Sequence, residues 1–165
     1  MKRSSFLILM SFLSIWAQAP QTYSVCDLFG TRVSVGSGLV SVKGLIDGSP
    51  FHGYVLKERA DQGSCADSRA ELQSAPGAIV LAWDGGYGVT LSDADIRANR
   101  AVLADLLARY KRRDVAPRPF VVTGKIIFKE SPAITRMRDG SFTGNGFGEM
   151  GAYAAMIVVK SAAPQ

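Results

Sequence analysis

The chain has 165 residues, 47% of them hydrophobic and 20% charged, a balance that excludes an intrinsically disordered chain and matches one domain. Nineteen basic residues against fourteen acidic ones give a net charge of +5, a mild excess that permits an anionic partner without requiring one. About 145 residues remain once an N-terminal leader is set aside, enough to bury a core without a structural metal.

The leader is read at residues 1–19. Lys2 and Arg3 form a positive start, residues 6–17 are an apolar run broken only by serines, and Ala17-Gln18-Ala19 has the small-x-small form of a signal peptidase site. An apolar run of about 12 residues is too short for a hydrocarbon core that needs about 20. Pro20 is an unfavourable residue directly after a cut, so cleavage after Ala17 or after Ser24 competes with cleavage after Ala19. Removal of Lys2 and Arg3 leaves 17 basic against 14 acidic residues, a net charge of +3. The sequence thus predicts a signal peptide, a single domain over residues 20–165, a periplasmic or secreted location, and no stable membrane insertion after the leader is gone.

In chain order, residues 25–29 predict one helical turn with Ser24 as its cap. Residues 39–47 are rich in β-branched side chains and predict a strand, with Gly44 at a bend. Gly48-Ser49-Pro50 is a turn, and residues 52–59 predict the return strand of a hairpin. Residues 60–75 are polar and read as a loop. Residues 77–83 are continuously apolar and predict a buried strand.

Ser92 and Asp95 form a capping-box pattern that opens the one long helix. Ile96, Leu103, Leu106, Leu107 and Tyr110 are predicted on its buried face. Arg109, Lys111, Arg112 and Arg113 crowd its last turn, where cations complement the negative end of the helix. Pro117 and Pro119 stop it. Residues 120–128 predict a fourth strand, Asp139-Gly140 a turn, residues 144–151 a glycine-rich loop and residues 154–160 a last strand. The order β-β-β-α-β-β is that of the OB-fold, a five-stranded barrel with its helix between strands three and four. The fold class is therefore mainly β with one helix, and an open antiparallel sheet packed on that helix is the competing architecture.

Cys26 and Cys65 are the two cysteines. In an exported chain they are expected to form a disulfide, closing a loop of about 40 residues. The alternative is a catalytic thiol with His52 as its base. His52, the only histidine, is expected to begin the second strand, and alone it makes no metal site. Gly146, Gly148 and Gly151 spell G-x-G-x-x-G, but a β-rich tail follows where a helix is needed, so no dinucleotide cofactor is expected. Phe147 and Tyr153 are expected to be exposed beside that loop as part of a ligand-binding surface. Arg112 and Arg113, within a cluster that includes Arg109, Lys111 and Arg118, are the candidate contacts for an anion.

Two stretches carry a resemblance. Ser24-Val25-Cys26-Asp27-Leu28, with Val40-Ser41-Val42-Lys43-Gly44 and His52-Gly53 after it, and the segment 144–155 together resemble a group of uncharacterised secreted bacterial proteins with OB-like barrels. The resemblance implies export, a barrel and a paired Cys26, and it carries no assigned activity. The group often has His where Glu149 stands and Pro where Ala154 stands, so a site relying on that His is altered here. The favoured function is an exported, non-enzymatic binding domain for a protein, an envelope glycan or a small anion. Two alternatives are an envelope hydrolase using Cys26 or a serine with His52, and a single-stranded nucleic-acid binder.

Overall fold

A computed structural model of the chain describes residues 21–31, 38–58, 77–114, 116–129 and 133–165. The leader at 1–19 and the whole 60–75 loop, Cys65 included, lie outside the described residues.

Val40, Val42 and Ile46 alternate along β2 (Val40–Ser49) and point inward, each under 10% exposed. Beyond the turn, β3 (Gly53–Lys57) returns antiparallel with Tyr54 and Leu56 inward, and β4 (Ala78–Ala82) pairs with it antiparallel. The helix α2 (Asp93–Lys111) then leads to β5 (Arg118–Phe128). The last strand, β8 (Ala155–Pro164), lies between β4, to which it is parallel, and β5, to which it is antiparallel. Pairing of β2 with β5 closes the ring. The result is a closed five-stranded barrel in the β-β-β-α-β-β order, with the strand neighbours of an OB-like fold; the open sheet is excluded.

Gly44 stands where β2 meets β3. A Cβ there would come within 2.5 Å of the Lys57 carbonyl oxygen, so glycine permits the close approach. Between Thr123 and Gly124 the β5–β8 register slips by one residue, and a Cβ on Gly124 would sit 2.2 Å from the Val158 oxygen. At this bulge the Val159 carbonyl accepts a hydrogen bond from Asn99 Nδ2 at 3.2 Å, tying α2 to the barrel.

Two elements unseen in the sequence are added to this frame. The first is β1 (Thr22–Ser24), parallel to β2. The second is a hairpin of β6 (Ile134–Arg136) and β7 (Phe142–Gly144) inside the long β5–β8 connection, built around the expected Asp139-Gly140 turn. The expected N-terminal turn is α1 (Val25–Thr31). Ser24 and Asp27 cap it reciprocally, and Val25, Leu28 and Phe29 enter the core, where Phe29 meets Phe128 edge to face.

The α2 capping box forms as expected between Ser92 and Asp95. The buried stripe of α2 differs from expectation. It runs through Asn99, Val102, Leu103, Leu106 and Arg109, while Leu107 and Tyr110 remain 37% and 38% exposed. The stripe is rotated because Asn99 and Arg109, polar by type, find hydrogen-bond partners inside.

Candidate functional site

Near the turn, Asp47, Val55 and Lys57 stand on the outer face of β2 and β3, with Val55 covered. Asp47 stands opposite Val55, and Lys57 lies diagonally across and forms an ion pair with Asp47. That bond to the Lys57 ammonium, helped by the Gly48 amide, lowers the pKa of the Asp47 carboxyl against a smaller opposing effect of burial. The strands are joined by a turn over Pro50, Phe51 and His52. The His52 amide donates to Ser49 Oγ at 3.2 Å. Gly48 is required at its base, because a Cβ there would reach 2.3 Å from the Gly53 oxygen at a φ of 119°.

The β5–β8 connection supplies the facing wall. Phe147 and Tyr153 exchange two backbone hydrogen bonds, at 2.7 and 3.1 Å, and Gly146 donates to the Gly151 carbonyl at 2.9 Å. The glycine-rich loop is thus folded tightly on itself by backbone hydrogen bonds, and a Cβ on Gly146 or Gly151 would lie 2.1 Å from a carbonyl oxygen. The loop packs down on the outer face of the barrel, where Gly148 approaches Val80 and the Tyr153 ring. Ser141 donates through its amide and hydroxyl to Asp139 Oδ1, which lowers the pKa of that carboxyl.

Between the walls lies a cleft of about 340 Å³. One side is formed by Asp47, Gly48, His52, Gly53, Val55 and Lys57, the other by Ser141, Met150, Ala152 and Tyr153. Met150 adopts a left-handed backbone at φ 57° and is 59% exposed at the rim. The cleft lies on the outer face of β2 and β3, between the β2–β3 turn and the β5–β8 connection.

Of the residues expected to bind a ligand, His52 and Tyr153 are brought together in this cleft. His52 sits in the exposed turn rather than at the start of β3, which begins at Gly53. Phe147 and Tyr153 are half-buried instead of exposed, because their mutual pairing and the packing of the loop cover them. Phe147 braces Tyr153 through the backbone. Arg112 and Arg113 are exposed at the C-terminal end of α2 and do not line the cleft.

Arg109 leaves their cluster altogether. It is 4% exposed, donates to both carboxylate oxygens of Asp114 at 3.0 and 3.2 Å, and reaches the Ala116 carbonyl at 2.7 Å. Cys26 and His52 stand at opposite ends of β3. The Cys26 amide donates to Glu58 Oε2 at 2.7 Å, and the strand between spans roughly 20 Å at 3.3 Å per residue.

Asp47, Lys57, Ser141 and Met150 are among the cleft residues that sequence reasoning passed over. The signal for the first two was parity: counted from the inward Ile46 and Leu56, both fall on the outer face of a hairpin. Among the described residues there is no group of three His, Cys, Asp or Glu side chains that would hold a metal, and no helix long and apolar enough to cross a membrane. No family model, curated protein or solved structure matches the chain.

Proposed function

We propose that the chain is an exported, non-enzymatic binding domain whose ligand, a short glycan segment of the cell envelope, seats in the cleft between the β2–β3 turn and the β5–β8 connection. The observation that carries this reading is the composition of that cleft. The Tyr153 ring offers an aromatic surface to the apolar face of a sugar. Asp47, Lys57, His52 and Ser141 offer donors and acceptors for its hydroxyls around Val55 and Ala152. A bound nucleic-acid strand needs a basic groove with successive stacking aromatics. Tyr54 and Phe120 are buried in the barrel, and Arg112 and Arg113 do not line the cleft, so the glycan takes precedence.

Titration of the isotope-labelled mature protein with soluble envelope oligosaccharides tests the reading by nuclear magnetic resonance. Shifts at His52, Lys57 and Tyr153 are expected, and Tyr153→Ala should weaken binding about tenfold while the fold persists, the loss of one stacking contact. A panel of saccharides that leaves those resonances still, beside a short oligonucleotide that moves them, replaces this reading with the nucleic-acid one.

Export and a Cys26–Cys65 disulfide belong to the same proposal. Cys26 is not a free thiol, which supports the pairing. Cell fractionation and thiol titration of the unreduced protein should give an extracytoplasmic protein with no reactive thiol. A cytosolic protein with its leader intact and two reactive thiols overturns it.

A further inference from the structure

We propose that the tip of the β2–β3 hairpin and the C-terminal end of α2 together form a docking surface for an anionic lipid bilayer. Phe51, at the tip of the turn, is 79% exposed, the most exposed large hydrophobic side chain among the described residues. Its ring meets Tyr110 of α2 edge to face, with centroids 6.0 Å apart, so two distant segments present one aromatic pair to solvent. Leu107, one turn earlier on α2, is also exposed on this side.

Three cations follow Tyr110 directly: Lys111, Arg112 and Arg113, all exposed. Asp114, the next residue, pairs with Arg109 and Arg118, and Arg112 exerts only a weaker pull on the same carboxylate. Arg113 holds a left-handed backbone at φ 59°, in the position after a helix end where glycine is the usual residue. A charged side chain is therefore kept where conformation disfavours it, as strained positions at functional surfaces often are.

Charge selects the occupant. Phe51 stands exposed at the turn tip with three cations close by at the helix end, while Tyr110 is partly covered and also borders a small pocket between α2 and β2. A protein partner would need a matching pocket, whereas a bilayer interface yields to an inserted ring and attracts the flanking cations to its phosphates. Aromatic side chains settle at that interface because their rings tolerate both lipid and water. The proposal is independent of the cleft: it assigns a different set of residues, although the shared turn would hold the cleft close to the membrane surface.

Vesicle co-sedimentation with the mature protein tests it. The protein should sediment with phosphatidylglycerol-containing vesicles, fail to do so with pure phosphatidylcholine, and be released by high salt. Phe51→Ser should weaken partitioning several-fold. Arg112→Glu/Arg113→Glu should weaken it by at least about tenfold, since each cation near an anionic surface is worth about fivefold. The control is Arg97→Glu/Arg100→Glu, which makes the same change in net charge on exposed positions of α2 two or more turns away. Thermal melts establish that each variant folds.

Three outcomes overturn the proposal. The first is no sedimentation with anionic vesicles. The second is equal loss in both double variants, which would mean net charge alone. The third is full binding by Phe51→Ser together with equal affinity for soluble polyglutamate, which would assign the patch to an acidic polypeptide.

Discussion

The guanidinium of Arg109 spans both carboxylate oxygens of Asp114, five residues on, and thereby folds the end of α2 back toward the start of β5. The two partners are unequal, since the Arg109 side chain is 5% exposed and that of Asp114 39%. Asp114→Asn is therefore expected to destabilise more than Arg109→Met, because it leaves a buried guanidinium without its counter-ion whereas methionine removes the charge and keeps much of the volume. Thermal midpoints of the two variants check the order, and the reverse order would show that the pair matters only for packing.

Acid sensitivity follows from the same carboxylates. Hydrogen bonds from Arg109, Lys57, Ser92 and Ser141 lower the pKa values of Asp114, Asp47, Asp95 and Asp139 respectively. A carboxyl depressed in the folded state contributes stability in full above its unfolded value, about 4, and loses it as pH falls through the folded value. Denaturant midpoints should thus be level from neutral pH down to about 5 and fall below about 4. Ser141→Ala should soften that decline, and an unchanged acid limb in this variant would count against the Asp139 contribution.

The Ser92 hydroxyl supplies one half of the α2 capping box. Ser92→Ala should cost about 1 kcal/mol and speed amide exchange in the first turn of the helix, with the last turn unaffected. Equal acceleration along the whole helix would mean that packing on β8, rather than the cap, fixes its start.

Close backbone approach gives a steric prediction. Gly44→Ala and Gly124→Ala each push a methyl against a carbonyl oxygen of the neighbouring strand and should cost about 1–3 kcal/mol. Gly38→Ala, which meets nothing within 4 Å, is the matched control and should be neutral or slightly stabilising. Urea unfolding of the three variants separates the two classes.

The tie between Asn99 and Val159 predicts a larger effect than surface polarity would. Asn99→Ala leaves a buried carbonyl at the β5–β8 bulge without its donor and should cost about 1–3 kcal/mol. Tyr54→Phe should be close to neutral, because the buried Tyr54 hydroxyl has no hydrogen-bond partner among the described residues. Calorimetry on both variants checks the contrast.

The barrel was legible because its signals are local: β-branched runs, the Gly48-Ser49-Pro50 turn and the Ser92–Asp95 box each act within a few residues. Closure between β2 and β5 and the parallel seam between β4 and β8 were legible only through the order of elements, since no residue announces its cross-strand partner. The cleft was half legible. His52 and Tyr153 drew notice by residue type, but Asp47 and Lys57 look like ordinary solvated charges until pairing places them beside the distant Met150. Arg109 misled for the opposite reason: a cation at a helix end is usually solvated, and only the return of the chain at Asp114 buries it. The hairpin of β6 and β7 escaped because three-residue strands carry too little periodicity to register.

Because β8 is inserted between β4 and β5, the ring has a keystone that is the last of its five strands to be made. Until residues 155–164 arrive, β4 and β5 each present bare backbone amides and carbonyls to any passing strand. Synthesis therefore passes through a sticky stage that ends in a single late event, and a chain stopped short of β8 should clump where the full-length chain stays dispersed.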